Sequence, residues 1–355
     1  MNPLAKLADI GEVGLLRHLR RRIPSGPGVV VGPGDDAAVV ETAALTLVTT
    51  DSLVEGVHFR REWSPPRLLG RKALSVSLSD IGAMSGVPRH ALVSLCLPPD
   101  YEVGWLDGLY DGLLERAAET GVSLVGGNLS AIAGPAVIDV TLLGQASRFV
   151  TRAGAKPEDL IVVTGSLGAA AEGLKLLAQG ARLDENGELC ATGVWTDSST
   201  VALTDCLQAQ LDPRPPLAFA RALAENPVVH AAIDLSDGLS GDLLRLCEES
   251  GLQATIESFA VPVSPQAASL ERARGGDALS LALHGGEDYQ LLVAVPRQGV
   301  ATLKDVAVIW DLPVTVIGEL SAGEPRVMLK AGSDQMLLAT GAHEHFGLSP
   351  GNRGV

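Results

Sequence analysis

The chain has 355 residues, which is long enough for more than one hydrophobic core, so we expect two domains. Apolar residues make up 46% of it and charged residues 19%, which is typical of a folded chain and not of a disordered one. The formal net charge of −15 argues against a nucleic-acid-binding protein, because such a protein needs a basic surface. An acidic chain can still bind an anionic substrate where metal ions lie between substrate and protein.

Cysteine usage and the lack of targeting signals favour a cytoplasmic location. The four cysteines form no C-x-x-C pair and no spacing with histidine that suits zinc. We therefore expect no disulfide framework, which fits a reducing compartment. We see no signal peptide and no run of 18 apolar residues, so we also expect no membrane segment.

The first part of the chain predicts a mixed layer of helices and strands. Residues 9–22 have the pattern of an amphipathic helix, with an arginine-rich end where cations suit the helix dipole. A glycine- and proline-rich turn at 32–34 then separates two apolar runs, the second of which covers 45–50. Later patterns predict helices over 65–84 and 102–120 and strands over 91–97, 122–125 and 137–143.

A polar, turn-rich segment at 151–159 marks the predicted boundary between two domains, residues 1–149 and 150–355. The second domain is predicted to begin with a strand over 160–164. Residues 181–200 show little pattern, and we interpret them as a loose insertion. Further helices are predicted from the end of a glycine turn at 165–168 through residue 177 and near 199–210, 216–225 and 239–249, and strands near 228–233, 252–257, 289–295, 314–317 and 326–329.

Acid-rich turns recur where predicted strands end. Asp36 follows a Gly-Pro-Gly turn and Asp51 ends the next strand, Asp234 and Asp237 follow a later strand, and Glu287 follows Gly-Gly. Each turn alone fits an ordinary loop or a helix cap. Their recurrence indicates instead one all-oxygen site of the kind that Mg²⁺ prefers.

Two further features bear on such a site. Asp80 is a carboxylate inside otherwise apolar helical sequence, where a solvated helix charge is the alternative interpretation. The glycine turn at 165–168 could bind a phosphate at the start of the following helix. That signal is weak, because the turn matches neither G-x-G-x-x-G nor a P-loop.

Seven motifs, taken together and in order, resemble those of the thiamine-monophosphate kinases. The resemblance covers approximately residues 30–295 and is weakest over 181–225. These kinases belong to a larger group of ATP-using enzymes that includes aminoimidazole ribonucleotide synthetase, selenophosphate synthetase and a hydrogenase maturation protein. The motifs are GPGDDAAVV, TTDSLVEGVHF, SLSDIGAMSG, GGN, RAGAKPEDLIVVTG, AIDLSDGL and HGGEDYQLL.

The resemblance implies a two-domain α/β fold and a homodimer. The N-terminal α/β domain would pair its sheet with that of a second copy to form a barrel, and the C-terminal α/β domain would pack over it. It also implies transfer of a phosphoryl group from ATP to thiamine monophosphate in the cleft between the domains, with several Mg²⁺ ions. Such a transfer needs in-line positioning and charge neutralisation but no covalent help from the protein.

The resemblance further implies a role for individual residues. Asp51, Asp80 and Asp234 would be catalytic. ATP would contact Tyr110, Gly127, Asn128, Arg152 and Ser236, and thiamine monophosphate would contact His58, Glu287 and Phe346. Mg²⁺ would be bound by Asp36, Thr49, Thr50, Asp51, Asp80, Asn128, Asp234 and Asp237.

Two alternatives stay open at this stage. One is another ATP-dependent enzyme of the same superfamily, although this chain ends in Asn352-Arg353-Gly354-Val355 without a reactive cysteine, and its first cysteine is Cys96. The other is a non-catalytic ATP-binding regulatory protein. The observation behind it is Asn128, which stands where the family usually has the aspartate of Gly-Gly-Asp.

Overall fold

The computed structural model of the protein describes residues 2–32, 38–42, 45–195, 199–226 and 228–341. These ranges form two mixed sheets with helices packed on them, so the predicted two-domain α/β fold is confirmed. The N-terminal elements are α1 (Leu7–Arg20), β1 (Val29–Val31), β2 (Val39–Val40), β3 (Thr46–Val54), α2 (Pro66–Ala83), β4 (Val87–Leu97), α3 (Val103–Thr120), β5 (Ser123–Ala131) and β6 (Val137–Gln145).

The N-terminal sheet has four strands in the order β3-β6-β4-β5. β4 pairs with β5 in parallel, and the other neighbours are antiparallel. Alternate strand residues such as Val93 and Val140 are buried in one core with leucines of α2 and α3, because successive side chains of a strand point to opposite faces. On the other face Val48, Thr50 and Ser52 are exposed.

The C-terminal elements follow after a connection of fourteen residues without a helix or strand, and the predicted boundary at residue 150 falls within it. They are β7 (Leu160–Thr164), α4 (Ala169–Ala178), β8 (Ala181–Leu183), β9 (Leu189–Thr192), α5 (Thr200–Leu211), α6 (Leu217–Glu225), β10 (Ala231–Leu235), α7 (Leu239–Ser250), β11 (Leu252–Glu257), α8 (Pro265–Arg274), α9 (Ala278–His284), β12 (Gln290–Val295), α10 (Val300–Ile309), β13 (Val314–Ala322), β14 (Arg326–Ala331) and β15 (Asp334–Leu337).

The C-terminal sheet has seven strands in the order β10-β12-β7-β13-β11-β14-β15. Only β11 and β14 are parallel neighbours in this sheet of the described chain. Ile161 and Val163 pack with leucines of α7, whereas Val162 between them packs with residues of α6 and α10. Helices therefore cover both faces of this sheet around β7.

One side of α2 contacts the second domain. Leu68 packs with residues of α4, α5 and α8, and Ala83 packs with residues of α6 and α10. Lys72 and Ser79 lie between them at helical spacing, so the four side chains share one side of the helix. We call these four residues the interdomain face of α2. It ties the two domains together along most of the helix.

Two predictions about the chain path are wrong. β5 does not end before Gly126-Gly127-Asn128 but runs through it, because Gly127 pairs with Val93 of β4 at close range. A Cβ on Gly127 would lie 1.9 Å from the carbonyl oxygen of Val93, so this register needs glycine. Residues 181–200 are not a loose insertion, since β8 and β9 form a hairpin. Its turn is ordered by Asp184, whose carboxylate accepts from the backbone N–H of Asn186 at 2.8 Å.

The sequence pattern also missed α8, α9, α10 and β15. Among the helices of the described ranges, none combines the length and the apolar composition that crossing a bilayer requires.

Candidate active site

Asp51 and Asp80 lie together where β3 faces the last turn of α2. Ser77 Oγ donates a hydrogen bond to Asp51 Oδ2 at 2.8 Å, and the Thr49 hydroxyl donates to the Asp80 carboxylate. Burial raises the pKa of Asp51 to about 6, and the negative charge of Asp80 acts in the same direction. The two carboxylates repel each other, so this place favours a bound cation or a proton.

Asp234 brings a third carboxylate to the same place from the second domain. It is the last residue but one of β10 and is buried, and its Oδ2 accepts a hydrogen bond from Ser79 Oγ on α2 at 2.8 Å. Burial raises the pKa of Asp234 to about 7, the charge of Asp80 adds to the rise, and Arg152 opposes it. Arg152 therefore lies near enough to act on this site, although its side chain is exposed.

The strand period decides which threonine belongs to this group. Thr49 and Asp51 are two residues apart on β3 and both face α2. Thr50 points to the opposite face, where its hydroxyl bonds to Asp139 Oδ1 at 3.3 Å and lies 3.1 Å from Thr141 Oγ1. This geometry contradicts a side-chain role for Thr50 at the Asp51 and Asp80 pair.

The turn after β10 is stabilised by side chains of α7, the helix that follows it. The Asp242 carboxylate on α7 accepts from the backbone N–H groups of Asp237 and Gly238, both at 3.1 Å. Arg245 pairs with Asp237 at 2.5 Å and with Asp242 at 2.7 Å. Asp237, which was predicted to bind a metal ion, thus already pairs with Arg245, a partner that the sequence analysis did not identify. The i, i+3 spacing of Asp242 and Arg245 was the available sequence signal for this arrangement.

The turn that contains Glu287 packs against the turn that follows β10. The Glu287 N–H donates to the carbonyl oxygen of Ser236 at 2.7 Å. The Glu287 carboxylate pairs with Lys72 Nζ of α2 at 2.8 Å and accepts from the Gln210 side chain of α5. Sequence reasoning missed Lys72 and Gln210. The available signal for Lys72 was a lysine in the midst of the apolar helical stretch that leads to Asp80.

Asp288, next to Glu287, makes different contacts. Both oxygens of the Asp288 carboxylate lie 3.0 Å from the Gly168 N–H at the start of α4. The glycine turn at 165–168, a weak candidate for phosphate binding, therefore already receives an anionic side chain there. Burial raises the pKa of Asp288 to about 7, and its hydrogen bonds with Gly168 and Ala170 oppose this rise.

Other predicted site residues lie apart from the three carboxylates. Tyr110 is buried in the N-terminal core on α3. Gly127 and Asn128 lie on β5, which is at the opposite edge of the sheet from β3. The Asn128 side chain is exposed and donates to Ser130 Oγ at 3.1 Å. Within one chain, none of the three is brought to Asp51, Asp80 and Asp234.

Of the remaining predicted site residues, the structure describes His58 but neither Asp36 nor Phe346. His58 follows β3 and is half-buried, and its Nδ1 accepts from the Val54 N–H at 3.0 Å. Asp36 and Phe346 lie outside the described residues, as does the pair His343 and His345.

The donor chemistry at this place fits Mg²⁺. Asp51, Asp80 and Asp234 offer carboxylate oxygens and Thr49 a hydroxyl, the hard ligands that this ion prefers. In the described part of the chain, no three acidic, histidine or cysteine side chains already converge on one point as a finished metal site. The carboxylates instead accept hydrogen bonds from three hydroxyl groups, which a cation could replace.

The sequence of this chain is similar to those of known proteins over most of its length. Residues 34–146 match the family model of the AIR synthase related protein N-terminal domain, and residues 156–330 match that of the C-terminal domain. The thiamine-monophosphate kinase of Rhodopirellula baltica is 33% identical over 318 residues, which cover 87% of this chain and 89% of that protein. The chain belongs to the thiamine-monophosphate kinase family.

Solved structures of thiamine-monophosphate kinases have the same fold. The crystal structure from Stenotrophomonas maltophilia superposes with a TM-score of 0.77 at 30% identity, covering 90% of this chain and 96% of that one. The structure of AaThiL complexed with AMPPCP and TMP superposes with a TM-score of 0.72 at 30% identity, covering 96% and 99%. The family resemblance predicted from the seven motifs is confirmed.

Proposed function

We propose that this protein transfers the terminal phosphoryl group of ATP to the phosphate of thiamine monophosphate, giving thiamine diphosphate. The observation that carries the proposal is that Asp80 of α2 lies close enough to Asp51 of β3 and to Asp234 of β10 to raise the pKa of both, which brings carboxylates of the two domains to one place. The kinase structure that contains AMPPCP and TMP supports it, since that chain matches this one over nearly its full length. Mg²⁺ would lie among the three carboxylates and the phosphates.

The residues of this chain would contribute positioning and charge. Asp51, Asp80 and Asp234 would hold Mg²⁺, which neutralises charge on the phosphoryl group in transit. The hydroxyls of Thr49, Ser77 and Ser79 aim these carboxylates before any ion binds, which lowers the cost of ordering the site. A phosphate acceptor is already ionised at neutral pH, so the reaction needs no general base.

Arg152 would complete the phosphate site. Its positive charge acts on Asp234, and its exposed side chain lies in the connection between the two domains. A guanidinium group can bind two phosphate oxygens at once, so Arg152 suits the polyphosphate of ATP. His58 and Glu287 would face thiamine monophosphate.

A homodimer is part of the proposal. Val48, Thr50 and Ser52 leave one face of the N-terminal sheet exposed, and a second copy paired there would cover it. Asn128 lies toward this same face, so any contact between Asn128 and a nucleotide or ion would arise near the junction of two copies. A cytoplasmic location likewise stays a prediction.

One assay tests the activity. Purified protein is incubated with Mg·ATP and thiamine monophosphate, and thiamine diphosphate is measured by chromatography. We expect product from thiamine monophosphate and none from free thiamine, because free thiamine lacks the phosphate group that accepts the phosphoryl group in the proposed reaction. Pyrophosphorylation of free thiamine would overturn the proposal. ATP binding without turnover at any Mg²⁺ concentration would favour a non-catalytic protein.

A further inference from the structure

Lys72 is a buried cation on the interdomain face of α2. Only 3% of its side chain is exposed, in a helix whose neighbouring residues are also buried. Its Nζ lies 2.8 Å from Glu287 Oε1 and donates to the carbonyl oxygen of Gln210 at 3.0 Å. Burying an ammonium group is costly unless it is paired, so this position of Lys72 depends on those two partners.

The Glu287 carboxylate is held from two separate elements. Lys72 of α2 binds one of its oxygens, and the Gln210 amide of α5 donates to the other. Its backbone is held as well, because its N–H donates to Ser236 and its φ of 56° lies in the left-handed region. A non-glycine residue keeps such a backbone angle only where its surroundings fix it.

The two ends of the Lys72–Glu287 ion pair differ in their exposure to solvent. The Lys72 side chain is 3% exposed and the Glu287 side chain 27% exposed, so the pair presents its negative end to solvent. A negative group there repels the polyphosphate of ATP and attracts a cation. Thiamine monophosphate carries a permanent positive charge on its thiazolium ring, so the acceptor is the substrate that this carboxylate suits.

We propose that Lys72 and Gln210 are positioning residues, which fix the Glu287 carboxylate so that the site recognises the cationic ring of the acceptor. This inference rests on the proposed kinase function and extends it to two residues to which the family resemblance assigns no role. Its consequence is selective, because loss of either residue weakens recognition of thiamine monophosphate and leaves recognition of ATP unchanged.

A purely structural ion pair is the competing explanation, and the same helix supplies its control. Arg71 precedes Lys72, is 8% exposed, and its Nε lies 3.0 Å from Asp212 Oδ1 in the second domain. Arg71 thus also pairs across the domains from a buried position, but it contacts none of the predicted site residues. Arg71→Met, which also removes the ion pairs of Arg71 with Glu115 and Glu119 of α3, measures what the loss of buried pairing does to stability alone.

The experiment compares Lys72→Met, Gln210→Met and Arg71→Met in the full chain. KM for thiamine monophosphate is measured at saturating Mg·ATP, KM for ATP at saturating acceptor, and Tm for each variant. We expect Lys72→Met to raise KM for the acceptor at least about tenfold, with KM for ATP nearly unchanged. Gln210→Met should give the same pattern more weakly, whereas Arg71→Met should lower Tm and leave both KM values alone.

A double-mutant cycle links the effect to Glu287. If Lys72 acts through Glu287, the variant Lys72→Met combined with Glu287→Gln should be no worse in kcat/KM for the acceptor than Glu287→Gln alone. Lys72→Arg keeps the charge and should recover part of the lost affinity. Additive losses in the cycle, or a Lys72→Met variant that lowers Tm with both KM values unchanged, would overturn the inference.

A crystal structure of Lys72→Met separates this inference from the proposed function. We expect the Glu287 carboxylate to leave the place it has in the native protein. A carboxylate that keeps its place would overturn the positioning role whatever the kinetics show. Failure of the native protein to make thiamine diphosphate would overturn the kinase function instead, and the crystallographic comparison would still decide whether Lys72 fixes Glu287.

Discussion

Two clusters of acids in the described chain, each largely removed from solvent, are built differently. In the second domain, Glu172 of α4 and Glu271 of α8 share Arg274, and Lys175 adds a second cation 3.1 Å from Glu271. Arg274 also lies over the ring of Trp195, with its guanidinium carbon 4.9 Å from the ring centre. The charge of this cluster is balanced by the protein itself.

The cleft cluster has no such internal balance. Asp51, Asp80 and Asp234 accept hydrogen bonds from hydroxyl groups, and in the described ranges no lysine or arginine forms an ion pair with them. Arg152 acts on Asp234 only through its field. The acids of the first cluster already have their counter-charge in the protein, whereas those of the cleft cluster have hydroxyl partners and can take up a charge from outside.

The largest effect is expected from removing a carboxylate from the cleft cluster. Asp80→Asn and Asp51→Asn should each lower kcat by about 1,000-fold or more, because the remaining ligands no longer hold Mg²⁺ between the phosphates. The metal-free variants should melt at or above the native Tm, since repulsion between acids is relieved. Near-normal turnover in either variant would remove that residue from the metal site.

Breaking the balanced cluster should do the opposite. Arg274→Met leaves Glu172 buried without its cation and should lower the free energy of unfolding by about 3 kcal/mol, with little change in either KM. Denaturant unfolding of the two forms measures this. As a control, Lys330→Met breaks a more exposed pair with Glu257 and should change stability by less than about 1 kcal/mol. Equal losses in the two variants would show that burial of the cluster is not what matters.

The stability of the metal-free protein should depend on pH. Burial raises the pKa of Asp51 to about 6 and that of Asp234 to about 7, from 3.8. The metal-free folded state therefore binds protons more tightly than the unfolded chain, so these groups stabilise it at low pH. That contribution falls as pH rises from near 4 and is lost once the pH has passed the folded pKa values of about 6 and 7.

Mg²⁺ should compete with the same protons. Its affinity, measured by calorimetry, should fall by about tenfold between pH 8 and pH 6, because metal ligands must be deprotonated. Metal-free protein should lose Tm over the same range as pH rises, and saturating Mg²⁺ should remove that loss. A Mg²⁺ affinity that does not change over this range would mean that neither carboxyl group gives up a proton when the ion binds.

The smallest effect is expected at Asn128, an amide where the family usually has a carboxylate. If it contacts an ion near a second copy, Asn128→Asp should lower the Mg²⁺ concentration for half-maximal rate by about twofold, with KM for the acceptor less affected. A Mg²⁺ titration of the two forms checks this. Superimposable curves would mean that Asn128 contacts no ion. Activity that appears only in Asn128→Asp would favour the non-catalytic interpretation of the native chain.

The sequence revealed the cleft cluster because its members stand in unusual places. Asp51 and Asp234 follow apolar strand patterns, and Asp80 interrupts an apolar helix. The role of Thr50 could also have been judged from sequence, because neighbouring residues of a strand point to opposite faces. The resemblance placed both threonines together, and the backbone separates Thr49 from Thr50.

Other features were not readable from local patterns. Lys72 has the spacing of a core residue, but its partners are 138 and 215 positions away along the chain. The hairpin of β8 and β9 has strands of only three and four residues, too short for a periodic signal. The pattern around Gly127 predicts the end of a strand, but the strand continues through it. The carbonyl oxygen of Val93 occupies the space where a Cβ would lie, so only glycine fits there.

The interdomain face of α2 limits how far the two domains can separate. Leu68 and Ala83 are fifteen residues apart, about 22 Å along the helix axis, and each packs with a different cluster of the second domain. A hinge motion between the domains would expose Leu68 and strip Lys72 of both partners. We therefore expect substrates and products to exchange while the two domains stay packed together.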